Sequence, residues 1–227
     1  MKLVFVSDVH CKWNKIIIPE CDILFSCGDY SFRGEPEVVK NYHEWLDEQP
    51  AKHIVSINGN HELWVEKNFN EAKDIALKAC PIVQFIQHEA IEIEGLKIFG
   101  SAWTPYFNDW AYNAGRTITE AAYLRKPFIG DLWQDIPLDT QILITHGPGV
   151  GTLDWVANYM SGKIINVGCN ELTKKIVELK DLKIHAFGHL HMKGGNVMEQ
   201  DGVKYINASV CDDNYVAHND RIIVIDF

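Results

Sequence analysis

Two aspartates, one asparagine and five histidines fall in five short polar clusters: Asp8-x-His10, Gly28-Asp29, Gly59-Asn60-His61-Glu62, Thr145-His146-Gly147 and Gly188-His189-x-His191. Carboxylate together with imidazole suits manganese, iron, zinc or nickel better than calcium or magnesium alone. The seven candidate donors are Asp8, His10, Asp29, Asn60, His146, His189 and His191. That is more than one zinc ion ordinarily takes from protein. It suits two divalent ions that share a bridging carboxylate. Paired ions about 3.5–4 Å apart are a recurring device for in-line displacement at phosphorus. Such a pair also leaves residual positive charge beside the two aspartates, which attracts a phosphate ester. Taken singly each cluster is weak, because an Asp after a strand is commonly a turn or a helix cap. The weight lies in all five occurring together.

Those donors need elements that carry them to one place. Each cluster follows a short apolar run, at residues 3–6, 23–25, 54–57, 142–144 and 184–187, and these runs read as buried strands. In open α/β sheets the functional crevice lies beyond the carboxyl ends of the strands. Five strands that end in donors are therefore expected to converge on one site. Helices are expected at 36–48, with Pro36 at its first position, at 70–79 and at 169–180, the first and third with an apolar stripe at helical spacing. From Glu89 onward the texture alternates. Hairpins are expected around Gly95 and around Asp201-Gly202, and a last strand at 222–225. The pattern is that of an α/β protein with a mixed sheet or two packed sheets. His43, His53, His88, His185 and His218 fall inside elements or at their edges and are expected to pack or hydrogen-bond rather than bind metal.

Composition narrows the function classes. The chain has 227 residues, 47% hydrophobic and 23% charged, enough for a sizeable core without staples. Residues 1–227 are expected to form a single domain. A formal net charge of −10 disfavours duplex nucleic acid and anionic membranes as preferred partners. A small phosphodiester or nucleotide remains compatible. The six cysteines form no C-x-x-C pair, and the N-terminal apolar run is too short for a secretory leader, so a reducing, cytoplasmic setting is expected. No stretch approaches a membrane span.

Taken together, the five clusters resemble the blocks of the calcineurin-like metallophosphoesterases. That resemblance implies a four-layer αββα sandwich with two mixed β-sheets. Gly100-Ser-Ala-Trp103-Thr-Pro-Tyr106-Phe-Asn108, Thr145-His146-Gly-Pro148, Val167-Gly-Cys169-Asn-Glu171 and Tyr205-Ile-Asn207-Ala-Ser209 further resemble the metallophosphoesterase-domain-containing phosphodiesterases, which are grouped with class III cyclic nucleotide phosphodiesterases. Some animal members carry glycine where His189 stands; this chain keeps the histidine, so a complete site is expected. Protein serine/threonine phosphatases continue Gly-Asp with Val-Asp-Arg-Gly, whereas Phe32 stands here in place of the acid, which argues against that branch.

Carried onto this chain, the resemblance implies one ion held by Asp8, His10, Asp29 and His191, and a second held by Asp29, Asn60, His146 and His189. The ions implied are manganese or an iron–manganese pair, with zinc or nickel as alternatives. Asp29 bridges, hydroxide held between the ions attacks phosphorus, and His61 acts as the catalytic histidine without being a ligand. The aromatic stretch of Trp103, Tyr106, Phe107 and Trp110, with Asn108 and Arg116, is the candidate substrate wall, since ring faces stack bases; alternatively the rings only pack the loop. The expected activity is hydrolysis of small phosphodiesters such as cyclic nucleotides. A phosphomonoesterase, a nuclease on short nucleic acids, or a metal-binding scaffold with a silent site are the competing readings.

Overall fold

The structure, a computed structural model, describes residues 1–157 and 162–227. Strands β1 (Lys2–Val6), β2 (Cys21–Cys27), β3 (Ala51–Ile57) and β4 (Val83–Phe85) form a parallel ladder. Next come β5 (His88–Ile93) and β6 (Leu96–Ser101), an antiparallel hairpin that turns at Glu94-Gly95 with both φ values positive, 51° and 79°. After the two-residue strands β7 (Thr104–Pro105) and β8 (Asn113–Ala114) follow β9 (Ile142–Thr145), β10 (Trp155–Ala157), β11 (Ile164–Asn166) and β12 (Ile184–Phe187). A second hairpin joins β13 (Asn196–Gln200) to β14 (Val203–Asn207), and β15 (Ile223–Asp226) returns to pair antiparallel with β1. Two large sheets result, ordered β15-β1-β2-β3-β4 and β13-β14-β12-β9-β6-β5, each mixing parallel and antiparallel pairs.

The two-residue period of each strand decides the layers. In β1, Leu3 and Phe5 point into the space between the sheets, while Val4 and Val6 point to the outer face. Phe5 stacks on Phe25 of β2 at 4.8 Å between ring centres. From the other sheet Ile98, Ile142, Ile144, Ile184, Ala186 and Ile206 fill the same inner layer. Burying a side chain of this size contributes about 1.5–3 kcal/mol relative to exposure, so a one-residue slip of any of these strands would be heavily penalised.

Helices cover both outer faces. On the first sheet, α1 (Pro36–Asp47) and α3 (Phe69–Ala79), the latter preceded by the short α2 (Leu63–Lys67), bury Val39, Tyr42, Leu46, Ala72 and Ala76. Later come α4 (Ile118–Leu124), capped by the Thr117 hydroxyl on the Glu120 N–H, then α5 (Ile129–Trp133) and α6 (Asn170–Glu178). On the second sheet α5 and α6 bury Ile129, Trp133, Leu172 and Ile176 against Leu143 and Phe187. The four layers are helix, sheet, sheet, helix, as expected. Most predicted helix and strand ends shift by one or two residues, and β3 starts three residues earlier than its apolar run, at Ala51. The short helices α2, α4 and α5 have too few turns to show a period in the sequence.

At one edge the sheets are stitched together. Ser7, just past β1, bridges to Ser209, just past β14: the Ser7 N–H donates to Ala208 O at 2.8 Å, and the Val210 N–H donates to Ser7 O at 2.9 Å. The carboxyl ends of both sets of parallel strands meet along this seam.

Candidate metal centre

The loops at the seam carry the sequence-predicted donors, and their backbones are unusual. Asp8, His10, Asp29 and His189 adopt left-handed φ values of 52°, 43°, 52° and 70°. Such conformations cost energy in a non-glycine residue and persist only where surrounding contacts hold them. Here the holding contacts are visible. The Asp8 N–H donates to Gly28 O at 2.9 Å and the His10 N–H to Asp29 O at 3.1 Å, so the first two loops lie side by side. The His189 N–H donates to both oxygens of Asp8, at 3.1 and 2.9 Å, and the Ser209 hydroxyl adds a bond to Oδ2 at 2.7 Å. A Cβ on Gly188 would run into the Asp8 carboxylate and the Ser7 hydroxyl, so this close approach requires glycine.

Four of the site histidines share one orientation. Through Nδ1–H, His10 donates to Ser31 O (3.1 Å), His146 to Cys27 O (2.9 Å), His191 to Asp212 O (3.0 Å) and His61 to Phe32 O (3.2 Å). A carbonyl can only accept, so Nδ1 carries the proton and Nε2 turns inward. The inward atoms crowd. His10 Nε2 lies 3.2 Å from His191 Nε2, and His191 Nε2 lies 3.3 Å from Asp8 Oδ1. His146 Nε2 is 2.9 Å from Asn60 Oδ1 and 3.2 Å from Asp29 Oδ2. Acceptors facing acceptors at such distances repel unless protons or cations lie among them.

Protonated imidazoles relieve part of this repulsion. Burial opposes a charge on His146, but the charge and hydrogen bond of Asp29 raise it to about 9. His191 is likewise raised despite its burial, through its hydrogen bond to Asp8 and that group's charge. Burial works against ionisation of both aspartates, yet His191 on one side and His146 on the other hold Asp8 and Asp29 well below the usual carboxylate range. His10 and His189 go the other way, to about 4, because burial outweighs the nearby carboxylates.

Three sets of inward atoms lie close enough to grip an ion, all within 4.8 Å of one another: Asp8, His10 and His191; Asp29, His146 and His189; and His10, Asp29 and His61. The first two follow the expected partition, with Asn60 Oδ1 adjoining the second. In the third, the ring of His61 comes as near as the expected ligands do, with Nε2 3.9 Å from Asp29 Oδ2. The donor chemistry, the inward lone pairs and their mutual repulsion fit a pair of divalent ions.

Residues 1–193 match the family of calcineurin-like phosphoesterases. The chain belongs to that family. It is 34% identical to metallophosphoesterase domain-containing protein 1 of Homo sapiens, over 98% of this chain and 70% of the relative. The fold is shared with phosphopantetheinyl hydrolase of Mycobacterium tuberculosis, at a TM-score of 0.56 and 13% identity, over 97% of this chain and 90% of that one. TT1561 of Thermus thermophilus also has a TM-score of 0.56, at 10% identity, over 91% of this chain and 88% of that one. As a calcineurin-like phosphoesterase the chain is a metal-dependent phosphoester hydrolase of a typically two-metal family.

A cavity of about 430 Å³ opens onto the centre, walled by Asn60, His61, Phe107, Asn108, Trp110, Arg116, His189 and Tyr215 among others. Of the predicted substrate residues, Asn108 and Arg116 stand on this wall. Among the described residues lining it, Trp103 and Tyr106 do not appear. Trp103 packs edge-on against Tyr112 at 6.0 Å, and the Tyr106 N–H joins the short ladder by donating to Ala114 O. His43 and His185 are buried and bonded, to Val39 O at 2.7 Å and the Thr145 hydroxyl at 2.8 Å, as expected of packing residues.

Sequence reasoning assigned no role to Glu62, though it stands within a donor cluster. Its buried carboxylate accepts from Gly59 N–H (2.6 Å), Asp29 N–H (3.0 Å), Ser31 N–H (3.1 Å) and the Ser31 hydroxyl (2.8 Å). It therefore clamps the Asp29 loop to the Asn60–His61 turn. Burial and the charge of Asp29 push its carboxyl up to about 8, against the four donors that favour the ionised form. Ser209 was named only within a motif and given no role, and Tyr215 was missed; their signal lies in contacts that span the chain. Among the described residues no helix is long and apolar enough to cross a membrane.

Proposed function

We propose that this calcineurin-like phosphoesterase is a phosphodiesterase of small substrates, cyclic nucleotides included, working with two divalent ions. The observation that carries the reading is the inward convergence of histidine Nε2 atoms, locked by Nδ1 bonds to backbone carbonyls, on two buried carboxylates. Asp8, His10, Asp29 and His191 would hold one ion, and Asp29, Asn60, His146 and His189 the other. Manganese or an iron–manganese pair suits this donor set, with zinc or nickel also compatible. The bound ions supply Lewis acidity toward the phosphoryl oxygens and make a nucleophilic water available near neutral pH.

The chain's own residues do the rest. Oδ1 of Asp29 accepts the His61 N–H at 2.8 Å, which fixes His61 beside the ions' place. With Nδ1 committed to Phe32 O, only Nε2 of His61 faces the cavity, and it passes a proton to the departing oxygen. Arg116 and Asn108, on the wall, orient the substrate's anionic and polar groups. A cavity of about 430 Å³ suits a nucleotide-sized ligand. The net charge of −10 favours small substrates over duplex nucleic acid. The free cysteines Cys11, Cys21, Cys27, Cys80, Cys169 and Cys211 favour a cytoplasmic setting, and the stitched sheets favour residues 1–227 acting as one domain.

Metal analysis of the purified chain, run beside hydrolysis of bis-(p-nitrophenyl) phosphate with and without manganese, tests this. Two ions per chain with metal-dependent turnover are expected, and a cyclic nucleotide panel should then give turnover. Folded protein that takes up no metal and turns over no diester would reject the reading in favour of a silent scaffold.

A further inference from the structure

The surroundings of His61 are aromatic on two sides. Trp110 lies against its ring, with centres 4.4 Å apart and planes tilted by 33°. Phe32 stands edge-on at 6.2 Å. Tyr215 lies beyond, 5.4 Å from Phe32 and 4.8 Å from His10. Trp110 and Tyr215 line the cavity.

These rings arrive from three distant segments, and each is tied by backbone to the site. The segment of Trp110 is fastened to the turn that carries His61: the Ala111 N–H donates to Asn60 O at 3.0 Å, and the Tyr112 N–H donates to Glu66 at 2.7 Å. Phe32 offers the carbonyl that orients His61. Tyr215 sits on a turn built by Asp212, whose Oδ1 accepts the N–H groups of Asn214 and Val216 at 2.9 and 3.0 Å and whose carbonyl orients His191. Phe32 and Tyr215 are 41% and 38% exposed. A scattered exposed ring needs no explanation. Trp110 and Tyr215 on the cavity wall, linked through Phe32 and set on either side of the His61 and His10 imidazoles, form an apolar site with a polar focus, which is how small-ligand sites are built.

We propose that Phe32, Trp110 and Tyr215 form the subsite for the departing alcohol, and that preferred substrates are phosphodiesters whose departing alcohol carries a flat apolar or heteroaromatic group. This rests on the phosphodiesterase reading with His61 as proton donor. In that reaction water adds to phosphorus and the bond to the departing oxygen breaks. His61 Nε2–H protonates that oxygen, and the proton released by the water restores His61. The products are a phosphomonoester and a neutral alcohol. Because the departing oxygen must lie at His61 Nε2, the groups attached to it fall among these rings. An aryl or base ring gains contact there, whereas a polyol would lose hydration without finding hydrogen-bond partners.

The test compares two uncleavable anions, diphenylphosphinate and dimethylphosphinate, titrated calorimetrically into the metal-loaded full chain. Wild type, Trp110→Ala, Trp110→Phe and Tyr215→Ala are compared, with metal content measured for each. About tenfold tighter binding of the diphenyl compound is expected in wild type. That preference should shrink at least fivefold in Trp110→Ala and Tyr215→Ala, largely survive in Trp110→Phe, and leave dimethylphosphinate affinity within twofold. In turnover, Trp110→Ala should lose kcat/KM on diphenyl phosphate more than on bis-(2,2,2-trifluoroethyl) phosphate. An undiminished preference in the alanine variants would overturn the subsite. So would equal losses for both phosphinates, which is what rings that merely shield the centre would give. If wild type binds neither phosphinate and turns over no diester, the phosphodiesterase reading fails and takes the subsite with it.

Discussion

The floor of the site and its wall are built in opposite ways. The floor comprises the loops that follow β1, β2, β3, β9 and β12. Asp8, His10, Asp29, Asn60 and His146 are buried there, bound to one another's backbones and clamped by Glu62. The wall comprises the segment from β7 to α4, the β10–β11 pair and the turn around Tyr215. Phe107, Asn108 and Arg116 are exposed there, and its strands are only two or three residues long. The floor is continuous with the core, so its geometry is set by the packing of both sheets. The wall hangs from the floor by a few backbone bonds, such as that from the Ala111 N–H to Asn60 O. Reaction chemistry and substrate choice are thereby separable. The wall can change its side chains without disturbing the metal ligands, and the floor cannot.

Substitutions can break or sharpen that division. The largest effect is expected from Asp29→Ala, which removes the carboxylate shared by both proposed ions. Metal analysis should show loss of at least one ion together with abolished turnover, and retention of two ions would contradict the bridging role. His61→Ala should keep both ions and lower kcat by about 10²–10⁴; loss of metal there would instead make His61 a ligand, as its nearness to His10 and Asp29 allows. Glu62→Gln puts an amide where four donors converge and should weaken metal affinity about 10–100-fold by titration. Unchanged affinity would show that the clamp is dispensable.

A smaller effect is expected below the floor, at His43. Its ring is buried among Tyr30, Tyr42 and Phe85, and burial holds its pKa at about 4 against the ordinary 6.5. Between these values the unfolded chain binds a proton that the folded chain excludes. This contribution is therefore present in full above pH 6.5 and is lost as pH falls toward 4. Acidification from 6.5 to 5 should cost about 1.5 kcal/mol through this group. Chemical denaturation of His43→Met at both pH values should show a drop smaller by that amount. The smallest effect belongs to the wall. Arg116→Ala should raise KM for a charged diester roughly fivefold, about 1 kcal/mol, with kcat and metal content unchanged. A fall in kcat there would mean that wall and floor are coupled after all.

The same division explains what the sequence disclosed. The donors of the floor were legible because each follows an apolar run that could only be a buried strand, and because residue type names the chemistry. The strands β1, β2 and β9 were legible as short continuous apolar runs, whereas the four layers were implied only by the family resemblance. Glu62 was visible but mute, since its role exists only once the loops after β2 and β3 lie together. Ser209 bonds to Asp8 across 201 residues of chain, and no local pattern announces that. The aromatic stretch is legible as a stretch. Which rings face the cavity depends on the two-residue ladder of β7 and β8, which places Phe107 and Trp110 on the wall and sets Trp103 back against Tyr112. A ladder of two residues has no sequence period to read.

The seam where Ser7 meets Ser209 carries a kinetic consequence. Asp8, Asp29 and Asn60 descend from one sheet, His146 and His189 from the other. A divalent ion seated among them would be gripped by both, and its departure into the cavity would require ligands of both sheets to release it together. Exchange would then be paced by that rare joint release rather than by the strength of any single bond. Which ions a molecule contains would reflect what surrounded it as it folded, a memory that later changes in supply would erase only slowly.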